Sequence, residues 1–133
     1  MTFRAAALAC CLLALLLAGC RPPETRSQSA GEADRQATVS LPEGPRLGRA
    51  PVRVTLEENG QAVTGASVRV TGEMTHAGMV PVISQAEETA PGDYLAEGFE
   101  FSMAGDWILT ADIGYPDGSR EMSELRVTVP GSQ

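Results

Sequence analysis

The chain contains no lysine, one histidine and, beyond residue 20, no cysteine. Each absence removes a class of chemistry. With arginine as the only strong cation, the balance of 10 basic against 17 acidic residues leaves no surface suited to neutralising phosphates, so nucleic acid is not expected as a partner. Without thiols after residue 20, disulfides, thiolate metal sites and cysteine nucleophiles are excluded from that region. A lone histidine with no recognisable serine or cysteine nucleophile motif gives no base–nucleophile pair. The adjacent acids Glu57-Glu58 and Glu87-Glu88 would point to opposite faces of strands and could not share a substrate. No enzyme is expected. Aromatic residues are also few, with three Phe, two Tyr and one Trp, and 133 residues allow a single modest core.

The apolar run that is present lies at the start. Ala5 to Ala18 follows Arg4 and is too short and too early for a membrane span, so residues 1–19 read as an export signal. The ending Leu17-Ala18-Gly19-Cys20 resembles the lipobox of bacterial lipoproteins. That resemblance implies cleavage before Cys20, loss of Cys10 and Cys11 with the signal, and lipidation of Cys20. Several acyl chains, at about 0.8 kcal/mol per buried methylene, would anchor the protein to a membrane without spanning it. Arg21 stands where aspartate is the usual inner-membrane retention signal. Lipoprotein sorting would then favour the outer membrane of a diderm cell, facing the periplasm, or the exterior of a cell with one membrane.

Residues 20–47 are poor in aromatic and branched side chains and carry Pro42, Gly44 and Pro45, the composition of a disordered tether. About 25 such residues would span on the order of 25–30 Å. Ala37 to Leu41 could add an edge strand. Residues 48–133 hold five arginines against 13 acids, a net of −8, which serves solubility and would favour cations or basic partners.

From Gly48 the pattern has period two. Val52, Val54 and Leu56 alternate with polar residues, and Asn59-Gly60 is a strong hairpin signal. Ala66, Val68 and Val70 share one face of the next strand. Further strands are expected over Val80 to Glu88, over Tyr94 to Met103 with a bulge at Gly98, through Trp107, Leu109, Ala111 and Ile113, and through Leu125, Val127 and Val129. Turns are expected at Ala90 to Asp93 and at Tyr115-Pro116-Asp117-Gly118. With no sustained helical period, the expected fold is all-β: a small immunoglobulin-like sandwich of about seven strands over residues 48–133. Trp107, Phe99, Phe101 and the valines would form its core.

One loop concentrates soft donors. Gly72-Glu73-Met74-Thr75-His76-Ala77-Gly78-Met79 holds the only histidine between two methionines, and Met103 precedes the turn at Gly105. Neutral thioethers and an imidazole suit Cu(I), whereas Zn(II) usually takes thiolates, imidazoles and carboxylates. If the strand ran on, Met74 and His76 would share the inward parity of Val68 and Val70, and Gly78 would let Met79 turn back toward them. The alternative places Met74 and Met103 in the core, Met79 as a loop anchor and His76 as a polar residue at the sandwich end. Met122, between Glu121 and Ser123, is uninvolved in either case.

Taken in order, Val63-Thr-Gly-Ala66-Ser-Val68, the Met74-to-Met79 loop, Gly92-Asp-Tyr94 and Phe101-Ser-Met103-Ala-Gly105-Asp-Trp107 resemble the YtkA-like and FixH-like family of exported or membrane-attached domains. The resemblance covers roughly residues 48–129 and implies an immunoglobulin-like sandwich. It also implies a link to copper handling and, through FixH-like members, to assembly of copper-containing oxidases. Many relatives carry more histidine around the loop, where here Ala77 and Gly78 follow His76. The resulting expectation is an envelope-anchored lipoprotein whose domain binds Cu(I) through Met74, His76, Met79 and Met103, for buffering or delivery to a copper-recipient protein. The competing expectation is a metal-free structural or protein-interaction module of the envelope.

Overall fold

A computed structural model describes residues 34–76 and 78–131. The expected signal peptide, Cys20 and the tether as far as residue 33 lie outside the described residues. Ten strands follow in order: β1 Arg35–Ser40, β2 Gly48–Arg49, β3 Val52–Glu58, β4 Gln61–Ala62, β5 Ser67–Met74, β6 Val82–Ala90, β7 Asp93–Ala96, β8 Glu100–Phe101, β9 Gly105–Gly114 and β10 Arg120–Val129. Three of these have only two residues, and the other seven form one antiparallel path, β1-β3-β7-β6-β5-β9-β10. The expected all-β immunoglobulin-like sandwich is the observed one.

The alternating pattern explains the two layers. In β3, Val52, Val54 and Leu56 are buried while their neighbours are not, and β9 buries Trp107, Leu109, Ala111 and Ile113 in the same way. Each strand thus offers one apolar face, and the faces meet in a single core. β6 belongs to both layers. Its Val82–Ala86 half pairs with β5, and after that Glu87 and Glu88 pair with Leu95 and Tyr94 of β7 across a register shift before Ala90. At the far side the layers also meet, where the Ser123 hydroxyl of β10 donates to the Ala37 carbonyl of β1 at 2.9 Å.

Phe99, Phe101 and Trp107 form the centre of the core, packed edge to face with centroids 5.0 and 5.2 Å apart. Gly72 makes room for them. It lies opposite Leu109 in the ladder, and a Cβ there would run into the Phe99 ring. The buried Tyr94 hydroxyl donates to the Val63 carbonyl at 2.9 Å and accepts from the Ala66 amide at 3.0 Å, tying the β4–β5 connection to β7. Asn59 and Gly60 both take positive φ, 52° and 75°, as a two-residue primed hairpin turn requires.

Two expectations need correction. The segment from Tyr94 to Met103 is not one bulged strand: β7 stops at Ala96, the chain turns at Glu97–Gly98, and β8 then pairs with β2. The turn resets the parity, so that Tyr94 and Ala96 before it and Phe99 and Phe101 after it all face the core. The fold also begins upstream of Gly48: the edge strand expected at Ala37 to Leu41 forms over Arg35–Ser40 and pairs with β3 in unbroken register from Arg35↔Glu58 to Ser40↔Arg53, so the segment is not all tether. An edge strand needs little apolar surface of its own, and Val39 is the residue that β1 fully buries.

Candidate metal centre

The four candidate donors lie at one end of the sandwich, where β1 and β5 end and β3 and β9 begin. The β5–β9 ladder closes at Met74↔Trp107, and one more bond follows, from the Thr75 amide to the Asp106 carbonyl at 3.1 Å. Beyond it the β5–β9 ladder is not continued and the chain bends at Thr75 and His76, so the strand parity stops governing side-chain direction. His76 is exposed rather than inward, which corrects the expectation drawn from parity.

Met74 is half-buried against the core, and its methyl group lies on the backbone of Gly105, where an added Cβ would come within 2.8 Å of Met74 Cε. Gly105 has φ +130°, so glycine is required there twice, for conformation and for room. Met103 stands two residues before it and is 50% exposed. Its carbonyl accepts the Trp107 indole N–H at 3.0 Å, which fixes the loop backbone while leaving the thioether outside. Gly78, at φ +99°, turns the 75–81 loop, and Met79 comes back half-buried against the core. The structure therefore brings Met74 against the Gly105 turn, two residues after Met103, and leaves His76 and Met79 in the connection between β5 and β6. Met103 is not the core residue that the packing alternative required.

The electrostatic setting is mild. Among the described residues, no three His, Cys, Asp or Glu side chains converge, so a conventional zinc cluster is not assembled. Asp106, the nearest acid along β9, is engaged by the Thr128 hydroxyl at 2.6 Å. A shallow cavity of about 240 Å³ beside it is lined by Thr75, Asp106, Trp107 and Thr128 among others, and includes none of the candidate donors. The donor set fits a soft cation by its chemistry: three neutral thioethers and one imidazole.

The opposite end holds a cluster that pattern reading did not find. Arg35 donates from Nε to Glu58 at 2.9 Å, from Nη2 to Asp117 at 2.5 Å and from Nη1 to the Ser119 hydroxyl at 2.6 Å, and it lies 4.3 Å from the Tyr115 ring centroid. Tyr115 in turn donates to Glu121 at 2.7 Å. Burial, and then this bond to a carboxylate, push the Tyr115 phenol above its ordinary range. A cavity of about 290 Å³ opens beside these residues, where the Arg35 guanidinium is already bonded through each of its three nitrogens to the two carboxylates and the hydroxyl. No single local motif announces this cluster, because its members are up to 84 positions apart.

Fold and loop together define a small immunoglobulin-like β-sandwich with a methionine–histidine loop at one end. Residues 29–112 match the YtkA-like family model, and the chain belongs to that family. No curated protein matches it in sequence. Among solved structures, it is similar to CopC from Methylosinus trichosporium OB3b, with 14% identity, a TM-score of 0.46, and 71% of this chain and 93% of that chain covered. The soluble domain of PmoD from Methylocystis sp. ATCC 49242 (Rockwell) gives 14% identity and a TM-score of 0.46, over 72% of this chain and 90% of that one. Murine CRIg gives 13% identity and a TM-score of 0.42, over 71% and 96%. Likeness at this level carries no functional weight.

Proposed function

We propose that this YtkA-like chain is a non-catalytic envelope protein, lipid-anchored through Cys20, whose sandwich binds Cu(I) at the end formed by the 75–81 and 102–104 loops. The observation that supports this reading is that Met74 ends β5, His76 and Met79 follow on the next loop and Met103 stands on the loop before β9 at the same end, while Met122 stays outside the set. Neutral sulfur donors lose no proton on binding, so the thioethers add no pH dependence to metal uptake. Exposed His76 and Met103 are open to an incoming ligand, whereas Met74 and Met79 are held by packing. Such a division suits ligand exchange: a recipient protein displaces the outer donors before the inner ones. The role would be buffering or delivery of Cu(I) in the envelope.

The second reading, a metal-free interaction module, is favoured by a different observation. Each of three loops at this end exposes one large apolar side chain: Leu47 at 37%, Val80 at 83% and Met103 at 50%. An anaerobic competition titration of the full chain against a Cu(I)-specific chromogenic chelator separates the two. The copper reading expects one equivalent bound and weaker binding after Met74→Ala, His76→Ala, Met79→Ala or Met103→Ala, with each variant still folded. A chain that fails to compete, or variants that all bind as the parent does, would leave the interaction module in its place.

A further inference from the structure

The methionines beyond the export signal differ in accessibility. Met122 is 73% exposed and Met103 50%, whereas Met74 and Met79 are half-buried and packed against the core. Thioether oxidation follows exposure, because the oxidant must reach the sulfur. Met103 is therefore the most accessible of the three candidate thioether donors. Its backbone is held independently of its side chain, through the bond from the Trp107 indole to the Met103 carbonyl and through the Met74 methyl seated on Gly105. A change at the sulfur can thus alter the donor without removing a core contact.

We propose that Met103 is a reversible oxidation site that switches off Cu(I) binding at this end of the sandwich, an inference that rests on the copper reading above. The oxidant class is a hydroperoxide. A lone pair on the Met103 sulfur attacks one peroxide oxygen, the S–O bond forms as the O–O bond breaks, and the other oxygen leaves as hydroxide and takes the proton of the transferred hydroxyl to become water. Sulfur loses two electrons, and each of the two peroxide oxygens gains one. The resulting sulfoxide is polar and presents a hard oxygen in place of a soft sulfur, the wrong partner for Cu(I). The two sulfoxide reductases, one for each epimer, reverse the step. Met122 lies outside the donor set: it is on β10, in register with Asp112, well up the strand from Val129 at the loop end, so replacing it removes a competing exposed thioether without touching the site.

The test uses the metal-free full chain carrying Met122→Leu, exposed to graded hydrogen peroxide, freed of oxidant, mapped by peptide mass spectrometry and then titrated anaerobically with Cu(I). Met103 is expected to gain its oxygen before Met79 and Met74, and affinity should fall roughly tenfold or more, at least the loss seen when a metal site loses an outer-shell partner. Treatment with both reductases should restore it. Adding Met103→Leu should weaken binding at the outset and make the same peroxide dose ineffective. Oxidation of Met79 or Met74 ahead of Met103, unchanged affinity once Met103 is a sulfoxide, or loss of the near-ultraviolet signal of Trp107 along with affinity would overturn the proposal. If the untreated chain does not bind Cu(I), the copper reading falls together with this inference; binding that survives Met103 oxidation overturns this inference alone.

Discussion

Asp117 does more than turn the chain between β9 and β10. Its Oδ1 accepts from the Ser119 hydroxyl and amide at 2.5 and 2.9 Å, and its Oδ2 from Arg35 at 2.5 Å. These bonds, those from Ser119 first, favour the carboxylate and hold its pKa down to about 2. An unfolded aspartate titrates at about 3.9, so the folded state binds the proton less readily than the unfolded one. The stabilisation is complete above pH about 4 and is lost as pH falls toward about 2. Asp117→Asn should therefore flatten the pH dependence of the urea midpoint between pH 5 and pH 2, with the remaining carboxylates supplying what slope persists. An unchanged slope would refute the role given to this carboxylate. The Pro116-Asp117-Gly118 turn was legible in sequence, since its residue types are those that turns demand. The bond to Arg35 was not, because a partner 82 positions away leaves no mark in a local pattern. His76 shows the same limit: alternation predicts direction only while the ladder continues, and the chain bends out of it after Met74.

The elements legible in advance are those whose cause is local. Asn59-Gly60 supplies the two positive φ values of its turn, and Trp107, Leu109, Ala111 and Ile113 bury the face that their spacing defines. β6 was placed close to its observed range, but its passage from one layer to the other depends on which strands flank it and was invisible in its own residues. The break between β7 and β8 shows in the sequence as a reversal of parity at Gly98, which a bulge also explains. The observed turn achieves the same reversal and also releases β8 to pair with β2. β1 illustrates how composition misleads. A segment poor in branched residues looks like tether, yet Arg35–Ser40 is joined to β3 along its length and clasped by Arg35 at its start. Gly72 belongs here too: a glycine within a strand signals a close approach, but only the core reveals that the approaching group is Phe99.

For the molecule as a whole, the two ends of the sandwich differ in chemistry. One carries the arginine–carboxylate clasp where the described chain begins, and the other carries the methionines, His76 and the exposed apolar side chains of three loops. The candidate donors are legible as residue types in the sequence, whereas their division into packed and exposed side chains requires the fold. The proposed anchor belongs to this scale as well. Cys20→Ser should move the protein from the membrane fraction to the soluble fraction, and retention in membranes would refute a lipid anchor at that residue. The central claim is that Cu(I) is held by this set of side chains, and it is tested most directly by NMR of the chain labelled with carbon-13 at the methionine methyl groups. On addition of one equivalent of Cu(I) under anaerobic conditions, the account predicts shifts for Met74, Met79 and Met103, accompanied by the His76 ring, and none for Met122. Unmoved resonances at all four methionines, or a Met122 shift as large as the others, would contradict it.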